Sequence, residues 1–377
     1  MYNYRIATVW GIPIKVNISL VVFLPVLAWI IGGTNQITLY AGLVEVLAGV
    51  PLDVEALQAG NNGLVIGAAA AIGLFASVTV HELGHAAAAR RYGIETSAIT
   101  LWILGGLASL ERLPKEPGRE LVIALAGPAA SVLTGIVCYA ALFVLPASAP
   151  SVVFVFGFLA VVNITLTLFN LLPAFPMDGG RVLRAFLARN RPYVDATRLA
   201  ARVGVAFAIL FALVGLFGGA PMLLLLALFV YSAANGESRV VALEGMLEGF
   251  MVKDVVDRDR PTVDADLSLD AFAQRVLDDR VDHHVVHDRS GRVVGLVGLD
   301  ALREHGRDSG KLVGDVATTD LPTVDLTTPA FDALREMDKT EYAFVTDGTD
   351  VVGIVERDDF ASLLELTGLS QRDRFAQ

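Results

Sequence analysis

The sequence predicts a multi-pass α-helical membrane domain of about six transmembrane helices, followed by an α/β tail built on an internal repeat. The 377-residue chain has a mean hydropathy of +0.58 and only 18% charged residues, against about a quarter in an ordinary soluble domain. Its charge is unevenly divided. Residues 249–377 hold 27 of the 40 acidic and 15 of the 29 basic side chains, a net of −12, whereas residues 1–248 carry a net of +1. The tail also repeats itself: "VKDVVDRDRPTVDADLSL" (252–269) returns as "VGDVATTDLPTVDLTTPA" (313–330), and "VVGLVGLDAL" (293–302) as "VVGIVERDDF" (351–360). The boundary between the two materials falls near 236–250.

A bilayer core of about 30 Å takes about 20 helical residues. Apolar runs of that order predict spans at 16–33, 64–88, 120–145, 152–172, 200–217 and a short one at 220–235. Residues 36–60, with Glu45, Asp53 and Glu55, read as a loop or an interfacial helix. Lysine and arginine set the orientation. They are absent between Lys15 and Arg90, between Arg119 and Arg181, and between Arg202 and Arg239. The basic clusters therefore mark alternate ends of six spans, and put the N-terminus and the tail on the cytoplasmic side of the cell membrane. The N-terminus does not read as a signal peptide, because no apolar core begins before residue 16. The single cysteine, Cys138, offers neither a disulfide framework nor a thiolate metal site. The acidic tail excludes nucleic acid as a partner. It fits either a high-salt interior or an ordinary acidic domain.

"HELGH" (81–85) stands near the cytoplasmic end of the second span. His81 and His85, four apart, project from one helix face and can hold one Zn²⁺, with Glu82 beside them as a base toward water. Two histidines and a glutamate that deep in a span are costly without partners. A catalytic zinc needs a third protein ligand and an open position. "FNLLPAFPMDGGR" (169–181) lies at the cytoplasmic end of the fourth span, at the same membrane depth, and Asp178 is its only carboxylate. Pro173 and Pro176 forbid a continuous helix, Gly179 and Gly180 suit a tight turn, and irregular backbone at that depth implies a wet cavity. Taken without HELGH, Asp178 reads better as a helix cap or a salt-bridge partner of Arg181 than as a metal ligand.

HELGH on a transmembrane helix, paired with the pattern of Asn170, Pro173, Pro176, Asp178, Gly179, Gly180 and Arg181, resembles the site-2 protease family of intramembrane zinc proteases. The resemblance covers about residues 1–235. It implies His81, His85 and Asp178 as ligands of one Zn²⁺ per chain, Glu82 as the catalytic acid/base, and Asn170 as the group that holds the scissile carbonyl. The family often has Asn where Ser131 stands, and Ser131 receives no role. "GGLASL" (105–110) and "AGPAAS" (126–131) sit where the family has Gly-rich pieces. The first reads either as a strand that pairs with an extended substrate or as a re-entrant turn. The activity implied is zinc-dependent endopeptidase cleavage of transmembrane or juxtamembrane segments of membrane-anchored proteins. A different class, a membrane transporter or metal-handling protein with a regulatory tail, would need charges along a pathway and repeated halves, and neither is evident.

The tail, read as strand, helix, two strands and helix per unit of about 60 residues, resembles a tandem pair of CBS domains. The resulting division is 1–238 for the transmembrane zinc metalloprotease domain, 249–308 for the first CBS repeat and 309–370 for the second. Such pairs often bind adenine nucleotides or dimerise, so a homodimer is one expectation for the tail. Asp359 falls where the family holds a ribose. The first repeat has Ala301 there, with Asp300 one position early, and Gly298 and Glu356 replace the usual hydroxyl residue; Glu356 would repel a phosphate. "HHVVH" (283–287) on a strand alternates faces, so its histidines are expected to be exposed.

Overall fold

The computed structural model describes residues 3–103, 105–110, 114–256, 260–306, 310–338 and 340–364. Contacts divide the chain into two compact units, Met1–Arg239 and Val240–Gln377.

The first unit opens with a hairpin, β1 (Asn3–Val9) and β2 (Ile12–Asn17), joined through Trp10 and Gly11, both at positive φ. Such a two-residue turn matches the twist of an antiparallel pair. The Asn17 side chain then accepts from the Ser19 amide and starts α1 (Ile18–Gly33). The short helices α2 (Gln36–Ala48) and α3 (Val54–Gln58) occupy the stretch expected to be a loop or an interfacial helix. α2 buries Ile37, Ala41 and Val44 in the core. The long helix α4 (Asn62–Arg91) follows. Its seam with α1 is backbone against backbone: a Cβ on Gly32 would stand 1.9 Å from the Gly63 carbonyl oxygen, and one on Gly67 2.0 Å from that of Ala28. Small residues are what let membrane helices approach this closely.

After α4 come β3 (Thr96–Trp102) and β4 (Gly105–Leu110). They complete a four-stranded sheet in the order β1-β2-β3-β4, in which only β2 and β3 run parallel. "GGLASL" is thus a strand and, among the described residues, an edge strand. The remaining helices are α5 (Pro117–Ala141), α6 (Pro150–Asn170), α7 (Asp178–Leu187), α8 (Tyr193–Phe217) and α9 (Pro221–Met246).

Among the described residues, α4, α5, α6 and α8 are long and apolar enough to cross a membrane, and α1 with α2, bent by 66°, would make a fifth span. The expected count of about six is not reached. α1 alone has 16 residues because residues 16 and 17 belong to β2, and in α9 the apolar run gives way to Asn235, Glu237 and Arg239.

The second unit contains two similar halves. The first has β5 (Thr262–Asp264), α10 (Leu269–Asp279), β6 (His283–His287), β7 (Val293–Gly298) and α11 (Leu299–His305). The second has α12 (Val313–Val316), β8 (Thr323–Asp325), α13 (Ala330–Glu336), β9 (Tyr342–Asp347) and β10 (Asp350–Glu356). In each half the first strand pairs parallel with the second, and the second antiparallel with the third. Val285 and Leu296 of the first half share a core with Tyr342, Phe344 and Ile354 of the second.

Candidate active site

HELGH lies inside α4, where the 3.6-residue period stacks His81 and His85 on one buried face; they are 7% and 5% exposed. α5 packs against that face, and glycines on both helices set the approach. A Cβ on Gly84 would be 2.6 Å from the Ala126 carbonyl oxygen, and one on Gly127 2.2 Å from His85 Nε2. α5 also orients both rings. The Ile123 carbonyl lies 2.7 Å from His85 Nδ1, and because a carbonyl only accepts, that nitrogen carries the proton and Nε2 keeps its lone pair. His81 Nδ1 is 2.9 Å from Ser131 Oγ.

Asp178 is the first residue of α7 and 8% exposed. Its Oδ2 lies 3.2 Å from His81 Nε2 and 3.3 Å from His85 Nε2, while the two Nε2 atoms are 3.2 Å apart. Residues 97 positions apart thus bring three ligand atoms to one point. The expected tight turn at Gly179 and Gly180 is instead the first turn of α7, and the glycines are needed for space. A Cβ on Gly179 would stand 2.2 Å from the Leu172 carbonyl oxygen, and one on Gly180 2.7 Å from the Phe175 amide nitrogen. The proline-bearing loop folds back onto the helix it precedes, and Ala174, Phe175 and Met177 are buried with residues of α8 and α9.

This donor set fits zinc. Two imidazole nitrogens and a carboxylate oxygen are the ligand types of a catalytic site with an open fourth position, and ring nitrogens anchored on the far side are the usual supports of such ligands. Lone pairs converging at about 3 Å are stable only with a cation or a proton between them.

Glu82, next to His81 and half-buried, accepts from the Ala108 amide of β4 at 3.2 Å. Gly106 lies against the same side chain, where a Cβ would come within 2.6 Å of Glu82 Cγ. Asn170 closes α6 at the start of the proline loop, half-buried, and is not among the hydrogen-bond partners of His81, His85 or Asp178. The sequence reading missed Ser131 and the Ile123 carbonyl. Ser131 carried two signals: the resembled family often has Asn there, and it lies four residues after Gly127 on the same face of α5. A backbone carbonyl carries none.

In the tail, Asp359 accepts from the Glu356 amide at 2.7 Å and from Arg260 NH2 at 2.8 Å through both oxygens. Burial pushes its carboxyl above the usual range, against the pull of Arg260. Arg260 also bonds Glu356 at 3.0 Å, and Tyr342 links Glu356 (3.2 Å) to His283 (2.9 Å). The histidines of "HHVVH" are not exposed. His284 is fully buried, 3.0 Å from Asp279 and edge-on to Phe272, while His283 and His287 are half-buried. Both faces of the strand are covered, since Val286 packs in one core with Phe272 and Val285 in another with Tyr342 and Phe344.

Comparison with known proteins bears on the same residues. The model of peptidase family M50 matches residues 69–149 and 146–211, and the CBS domain model matches 313–366. The zinc metalloprotease MJ0392 of Methanocaldococcus jannaschii is 32% identical over 371 residues, covering 97% of this chain and 98% of the relative. Rip3 of Mycobacterium tuberculosis is 35% identical over 327 residues, covering 81% and 83%. Among solved structures, a site-2 protease from Methanocaldococcus jannaschii is 33% identical, covers 63% of this chain and 95% of its own, and superposes with a TM-score of 0.44. A relative aligned along nearly the whole of both chains makes this protein a member of peptidase family M50, the site-2 proteases: a membrane zinc metalloprotease with a CBS-domain tail.

Proposed function

We propose that the protein is an intramembrane endopeptidase that cuts membrane-anchored proteins within or beside their transmembrane segments. Its metal would be held by His81, His85 and Asp178. The observation that carries this is the convergence of those three ligand atoms on the buried face of α4, beside a glutamate hydrogen-bonded to an edge strand. Bound there, Zn²⁺ supplies the Lewis acidity that brings water toward a pKa of about 7 and polarises a carbonyl.

The chain's own residues do the rest. Ser131 and Ile123 hold the two imidazoles with Nε2 toward the ligand position. Glu82 takes a proton from the attacking water and returns it to the leaving amine. Asn170, on the last turn of α6, donates to the scissile carbonyl as charge develops on it. A helical substrate must first unwind, since its carbonyls are already bonded. β4 pairs with β3 on one side only among the described residues. Its Ala108 amide reaches Glu82, so a substrate strand added to β4 would lie beside the acid/base. The basic clusters support a cytoplasmic N-terminus, active-site edge and tail.

Residues 1–238 form the protease domain in this reading, and 249–308 and 309–370 the two CBS repeats that regulate or dimerise it. An adenine nucleotide at the tail would have to take Asp359 from Arg260. Titration of the full chain with ATP tests this: Arg260→Ala should bind more tightly than wild type and Asp359→Ala not at all. Absence of binding in both wild type and Arg260→Ala would remove the nucleotide from the account. For the protease, comparison of membrane-protein fragments in cells carrying wild type or Glu82→Gln is decisive. The variant should keep its zinc and lose cleavage; unchanged fragments would refute the assignment.

A further inference from the structure

Among the described residues of the membrane unit, Arg184 is the buried cation. Its side chain is wholly enclosed, and a guanidinium stays charged wherever it is placed. Nε bonds Glu120 Oε1 at 2.7 Å and NH2 reaches the same oxygen at 2.6 Å, while NH1 bonds Glu237 Oε1 at 2.5 Å. The plane lies over the rings of Phe175 at 5.1 Å and Tyr193 at 4.9 Å. One side chain of α7 therefore holds α5 through Glu120, α8 through Tyr193, α9 through Glu237 and the proline loop through Phe175.

Two of these contacts concern the metal ligands. Phe175 is three residues before Asp178, in the loop that delivers it. Glu120 is one turn before Ile123, whose carbonyl anchors His85, and residues three apart share a helix face. Glu120, Ile123, Gly127 and Ser131 follow one another at spacings of three, four and four along one stripe of α5. That stripe holds Arg184, anchors His85, makes room for its ring and anchors His81. α7 carries the third ligand, so the bond between Arg184 and Glu120 ties Asp178 to the same ruler that positions both histidines.

We propose that Arg184 is a positioning residue for the metal centre, acting through Glu120 on the separation of Asp178 from His85. This rests on the zinc-site reading above. A residue that merely stabilised the bundle would change melting temperature and leave the metal geometry alone; this one sets the geometry. The guanidinium is needed for its fork, which meets Glu120 and Glu237 together.

The test uses the full chain in detergent, with zinc and cobalt alone as probes. Arg184→Lys keeps the charge and loses the fork. The triple variant Arg184→Met, Glu120→Gln and Glu237→Gln removes the guanidinium together with both of its carboxylates, since leaving a buried charge unpaired is what unfolds such sites. Both variants should show zinc affinity reduced about 10–100-fold in chelator competition and altered visible bands of the bound cobalt, with Arg184→Lys the milder. Either variant, folded and with wild-type zinc affinity and cobalt spectrum, would overturn the proposal. Wild type that binds no zinc would instead sink the zinc-site reading itself, so the two failures are separable.

Discussion

Ser131 is the residue whose role depends most on contact and least on type. With zinc on Nε2, His81 would carry its proton on Nδ1, 2.9 Å from Ser131 Oγ, which would accept it. Ser131→Ala leaves that proton without an acceptor in a buried place. Zinc affinity should then fall about 10–100-fold, and chelator competition measures it; unchanged affinity would show that the ring needs no such anchor. That His81, His85 and Asp178 could converge was legible in the sequence. HELGH states its helical spacing outright, and Asp178 was the only carboxylate at the facing end of a later span. Their supports were not. Ile123 acts through a carbonyl that every residue owns, and Ser131 looks like one more small residue of an apolar helix. Arg184 and Glu120, 64 positions apart, read singly as charges at helix ends, and only packing reveals them as partners.

At the scale of elements, apolar runs located the helices well, because lipid leaves a chain little choice but helix. α4, α5, α6 and α8 fall where the hydropathy put them. The N-terminal sheet escaped, since β2 pairs in parallel with β3 across more than eighty residues and long-range pairing leaves no local pattern. β4 was legible only as one of two options for a short apolar piece. The glycines show why sequence alone understates an element. Gly32, Gly63, Gly67, Gly84 and Gly127 all sit inside helices, where glycine costs about 1 kcal/mol relative to alanine, and at each the Cβ position is taken by a neighbouring helix, through its backbone at the first four and through the His85 ring at Gly127. Gly179 and Gly180 misled for the same reason: they open space for the Leu171–Phe175 backbone, and no turn is made there.

For the molecule as a whole, the division of charge and hydropathy separated a membrane unit from an acidic α/β unit, and the internal repeat accounted for the twofold plan of the second. The network joining His283, Tyr342, Glu356, Arg260 and Asp359 could not be read in advance, because it links both repeats through side chains with no shared motif. The proposed activity rests on the meeting of α4 and α7 at one point. The direct measurement is metal analysis with X-ray absorption at the zinc edge on purified full-length protein, wild type beside Asp178→Ala. One zinc per chain, with histidine scattering and an oxygen shell that Asp178→Ala depletes, is the expected result. Substoichiometric zinc, or a zinc shell without imidazoles that the Asp178 substitution leaves untouched, would contradict it.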